Sequence, residues 1–135
     1  MLRERSRAWI LFGIVTYTMV FASIYYVFYR DLNSFPELEN IMGFIPLTTT
    51  IAIMVGLTGY MGYKAFALTL FFFNFVGLGY MVGFCVSADS NVNNTIAGLI
   101  SYLIIFALGI ISGIFIELIF SAIYSRRRRD RFLEY

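Results

Sequence analysis

The sequence predicts an all-α fold, a polytopic membrane protein whose four transmembrane helices form an antiparallel bundle with both ends on the cytoplasmic side. Three observations carry that expectation. The chain is 60% hydrophobic and 13% charged, with a mean hydropathy of +0.80, whereas soluble domains carry about 25% charged residues. So little polar surface cannot cover a globule in water. The apolar residues also fall into four long runs, and one helical crossing needs about 20 residues. Finally, lysine and arginine are distributed unevenly among the connecting segments. The 135 residues are expected to form one domain, residues 1–135, with four crossings and short connections.

The first helix is expected over residues 8–29, after Arg3, Arg5 and Arg7. A basic start before an apolar run also opens a signal peptide. This run is longer than a signal core and no small-residue cleavage site follows it, so a retained helix is expected. Trp9 near its start and Tyr25, Tyr26 and Tyr29 near its end suit the two aromatic belts of a bilayer. A polar loop containing Pro36 follows. The second helix is expected over 44–63, with Pro46 in its first turn, where the missing N–H has no partner to lose.

A tight connection around Gly62, Tyr63 and Lys64 leads to a third helix over 65–86. An Asn- and Ser-rich loop precedes the fourth, over 96–124. The run Arg126–Arg129 is expected to stop that helix at the membrane surface and begin a short basic tail. The N-terminal segment, the connection at Lys64 and the tail hold most of the positive charge. The other two loops hold Arg30 against Asp31, Glu37, Glu39 and Asp89. The positive-inside rule therefore places both ends in the cytoplasm, and a plasma or inner membrane is expected.

Candidate functional residues follow from this frame. Gly109, Gly113, Glu117 and Ser121 recur every four residues and lie along one stripe of the fourth helix. Gly79 and Gly83 repeat that spacing on the third helix, and Ala52 and Gly56 on the second. Small residues so spaced let helices approach closely in lipid. They are therefore packing candidates, within the bundle or toward a partner.

Glu117 is the ionisable residue inside an apolar run, a default functional candidate because a carboxylate in hydrocarbon is costly. It either pairs with Lys64 or an arginine near the interface, or binds a proton or cation. Asn74 falls near the middle of the third helix, where an amide needs partners; it serves as interhelical glue or touches a ligand. Thr48, Thr49 and Thr50 either bond to carbonyls of the preceding turn or line a route. Arg126, Arg127, Arg128, Arg129 and Arg131 form a basic cluster suited to anionic lipid headgroups or to docking a partner. Cys85, the single cysteine, is expected to serve packing.

The chain has no histidine, and no nucleophilic triad, paired carboxylates, metal cluster or phosphate-cradling loop is evident. No enzyme activity, metal, cofactor or nucleic acid is expected. The expected partners are the bilayer and another membrane protein or a second copy. The leading expectation is a non-catalytic subunit or accessory factor of a larger membrane complex. The alternative is a small homo-oligomeric transporter, flippase or channel using Glu117 and Asn74.

Overall fold

A computed structural model describes residues 7–32, 38–87 and 92–133, with side-chain surroundings for 7–30, 41–87 and 93–123. The described residues form four helices: α1 (Arg7–Leu32), α2 (Leu38–Tyr60), α3 (Lys64–Ser87) and α4 (Val92–Leu133). Each contains a segment long and apolar enough to cross a membrane, namely residues 7–30, 41–60, 64–87 and 93–123. Large side chains such as Ile14, Ile53, Phe72, Phe75, Ile104 and Phe115 lie exposed on the outside. Such a surface is compatible with a membrane protein, since hydrocarbon solvates what water would not.

Two helix ends differ most from expectation, for one reason, while the others shift by about one to four residues. Hydropathy marks where lipid-compatible side chains stop, whereas a helix continues for as long as its backbone bonds do. So α2 begins at Leu38, and Pro46 lies about two turns inside it, not in its first turn. The carbonyl that Pro46 leaves without an i−4 donor is that of Met42. The arginine run likewise does not end α4, which continues to Leu133; arginine is among the better helix formers. The side chains of residues 124–135, including Arg126–Arg129 and Arg131, lie outside those described.

The helices pair as α1 with α2 and α3 with α4, and the pairs meet mainly between α2 and α3. The two seams are built differently. Along α1–α2, backbone meets backbone: a Cβ on Gly56 would stand 3.3 Å from Gly13 Cα and 3.3 Å from the Trp9 carbonyl oxygen. A Cβ on Gly13 would meet the Ala52 carbonyl oxygen at 3.3 Å. One turn on, the ring of Trp9 occupies the space a side chain at Gly59 would need.

Along α3–α4, glycines seat side chains of the opposite helix. A Cβ on Gly109 would come within 2.6 Å of Phe73, one on Gly113 within 2.7 Å of Phe66, and one on Gly98 within 2.8 Å of Cys85 Sγ. Around these seams Val20, Ile24, Val27, Ile51, Val55, Leu70, Leu78, Met81 and Phe106 form the core. The rings of Phe28 and Phe44 meet at 4.7 Å, tying α1 to α2. Those of Phe12 and Phe71 meet edge-on at 5.2 Å, tying α1 to α3.

The α2–α3 turn closes tightly because Gly62 takes a left-handed φ of 106°. The Tyr63 N–H donates to the Thr58 carbonyl and the Gly62 N–H to the Gly59 carbonyl, a pair that satisfies the last carbonyls of α2. A Cβ at Gly62 would be strained in that conformation.

Candidate functional site

The charged side chains that the structure ties to the bundle converge on the two ends of α3. At its start, the Lys64 N–H donates to the Gly62 carbonyl, and the first i−4 bond runs from the Ala67 N–H to the Tyr63 carbonyl. The Phe66 N–H lies in the gap between them and donates to Glu117 Oε2 of α4 at 3.0 Å. Gly113 lies one turn before Glu117, and its lack of a side chain lets α4 approach Phe66 closely enough for this bond.

At the other end of α3, Arg30 of α1 donates to the Cys85 carbonyl at 2.7 Å and to the Val86 carbonyl at 3.1 Å. A helix presents unpaired N–H groups and partial positive charge at its start, and unpaired carbonyls and partial negative charge at its end. Acid therefore meets the start of α3 and base meets its end, each supplied by a different neighbour.

Asn74 is fully buried in the α3–α4 seam. Its Oδ1 accepts a 2.8 Å hydrogen bond from the Tyr102 hydroxyl, and its Nδ2 has no partner. Gly77, one turn along α3, makes room for the ring of Tyr102. Whichever way the amide is turned, one of its polar atoms lacks a partner. Replacing Tyr102 with phenylalanine should therefore cost about 1 kcal/mol, while the Asn74→Leu/Tyr102→Phe double variant should be close to neutral. Equilibrium unfolding of the two single variants and the double variant in detergent checks this, and a simply additive double variant would refute it.

The three threonines fan around α2. Thr48 is buried and donates to the Phe44 carbonyl at 2.9 Å and the Ile45 carbonyl at 3.0 Å. Thr50 is exposed and donates to the Pro46 carbonyl at 2.8 Å. Thr49 faces a shallow groove of about 490 Å³ between α1 and α2, with Ile10, Ile14, Ile53 and Leu57 among its walls. These residues do not gather with Asn74 and Glu117, which lie in and at the end of the α3–α4 seam. Asn74 and Phe66 are themselves about 12 Å apart along α3.

Among the packing candidates, Ala52, Gly56, Gly109 and Gly113 stand at close helix contacts, whereas Gly79 and Gly83 have open space beside them. Reading the sequence did not single out Gly13, Gly59, Gly77 or Gly98, nor Arg30 as a tie. Gly13 has Trp9 and Tyr17 at four-residue spacing, so no small-residue pattern marks it.

Fold and site together define a helical protein of four potential spans, in which Glu117 and Arg30 bond to the ends of α3 and Asn74 to Tyr102 in the α3–α4 seam. No protein family, curated protein or solved structure matches the chain.

Proposed function

We propose that the chain is a non-catalytic integral membrane protein, a subunit or accessory factor of a larger complex in a plasma or inner membrane. Its four spans run antiparallel with both ends cytoplasmic. Pairs along the seams support the course of the chain: Trp9 lies by Gly59 and Gly13 by Gly56, so rising numbers in α1 meet falling numbers in α2. Gly98 by Cys85, Gly109 by Phe73 and Gly113 by Phe66 do the same for α4 and α3. The cytoplasmic ends rest on Arg7, Lys64 and the arginine run after residue 125.

One observation carries the functional reading. Glu117, the carboxylate within the spans, is bonded to the backbone of a neighbouring helix. A group placed there holds two helices in register, and holding helices together is what a scaffold subunit needs its polar residues to do. The rival reading, a small homo-oligomeric transporter, flippase or channel, draws on the unpartnered Nδ2 of Asn74.

Native mass spectrometry of tagged protein, gently extracted from its own membrane, tests the choice. A different protein bound in fixed ratio is the expected result. A clean homo-oligomer whose transport is lost with Glu117→Gln, at unchanged stability, would overturn it in favour of the transporter.

A further inference from the structure

Helix α4 outruns the bundle. Its contacts descend α3 from Cys85 through Phe73 to Phe66, and Glu117 sits beside the first turn of α3. Everything after Glu117 therefore extends past the start of α3. The first turns of that extension form an apolar collar: Leu118, Ile119, Phe120 and Ile123 are 62%, 57%, 59% and 51% exposed.

Successive helical positions are about 100° apart, so these four span about 200° of the circumference, and Ser121 and Ala122, exposed as well, complete the circle. The next charges, Arg126–Arg129, are consecutive in a helix that continues to Leu133 and so also occupy positions all around it. A single partner helix would cover one side of such a segment. A planar layer crossed by the helix covers every side.

Lengths identify the layer. The apolar segment of α4 has 31 residues, against 24, 20 and 24 in the others. At about 1.5 Å per residue it is about 46 Å long. That exceeds a hydrocarbon core of about 30 Å but matches a bilayer with its headgroups, about 40–45 Å.

We infer that the extension of α4 crosses the headgroup layer and that its arginines bind anionic phospholipid headgroups there. This inference rests on the membrane reading above. The collar sets the depth, and the five arginines of the segment, opposed by Asp130 and Glu134, supply the charge complementarity. Each basic residue near such a surface strengthens binding about fivefold.

The test uses the full chain in nanodiscs of phosphatidylcholine with about one-third phosphatidylglycerol. The discs are dissolved in mild detergent, and the lipids retained on the protein are counted by mass. The wild-type chain should keep phosphatidylglycerol in preference to phosphatidylcholine. Replacing Arg126, Arg127, Arg128 and Arg129 with glutamine removes four factors of about five and should cut that preference several hundredfold, to near parity, with elution on size exclusion unchanged.

The Leu118→Ser/Phe120→Ser variant keeps every arginine and should also lose part of the preference, because the collar no longer holds the segment at depth. Equal phosphatidylglycerol retention by wild type and the arginine variant would overturn the inference, and would leave an acidic protein as the occupant. A wild-type chain that fails to enter the discs would sink the membrane reading, and this inference with it.

Discussion

Replacing Gly56 with leucine should force α1 away from α2 and cost about 2–3 kcal/mol, the largest effect of any single change considered. Already the first added carbon would press on Gly13 Cα and the Trp9 carbonyl at 3.3 Å each. Both are backbone atoms, which cannot turn aside as a side-chain tip can. In lipid such close packing is itself the source of helix association, because the surrounding tails are as apolar as the seam.

Gly56→Ala should follow the same direction at about 1 kcal/mol. Gly79→Leu is the control, since nothing lies within 4 Å of a Cβ there, and it should stay within about 0.5 kcal/mol of wild type. Unfolding midpoints of the three variants in one detergent decide the matter. Equal losses at Gly56 and Gly79 would contradict the seam described here.

The second large effect is expected at Glu117. Glu117→Ala leaves the Phe66 N–H, at the start of α3, without its acceptor. The cost should be about 1–2 kcal/mol, the range of a charge-assisted hydrogen bond at a half-buried position. Glu117→Gln keeps an oxygen acceptor and removes the charge that favours the start of α3, so about half that loss is expected. Hydrogen exchange at the Phe66 amide should accelerate in the order wild type, Gln, Ala, while amides near Cys85 keep their protection. A uniform loss of protection along α3, or none at Phe66, would show that the carboxylate does not act as a cap.

These variants also mark how far the sequence was readable. Four apolar runs announce four helices because each exceeds what a soluble core helix needs. Their ends are less legible: Pro46 suggests a helix start, and Arg126–Arg129 a stop, yet both lie inside helices. A rule based on side-chain polarity does not see backbone bonding.

Spacing of four led equally to Gly109–Gly113 and to Gly79–Gly83. Only the first pair faces a neighbour, since spacing defines a stripe and says nothing of what lies across from it. Conversely, the nearest partner of Gly56 is Gly13, a lone glycine without a pattern. Glu117 was conspicuous as a charge, but its acceptor role depends on a backbone N–H 51 residues earlier in the chain. Arg30 looked like an ordinary loop charge until α1 was seen to end beside the last carbonyls of α3. Residues that act on another helix's backbone leave no partner residue type in the sequence to betray them.

The chain contains one tryptophan, and its position gives the protein a built-in optical gauge. Trp9 is 1% exposed, lies over Gly59 and touches Phe12 with ring centroids 5.5 Å apart. Its indole N–H has no partner, so its emission reflects packing rather than a hydrogen bond. All intrinsic indole fluorescence thus originates at one end of the α1–α2 seam. Loosening there shifts the colour of the signal, whereas slippage confined to the α3–α4 seam leaves it unchanged.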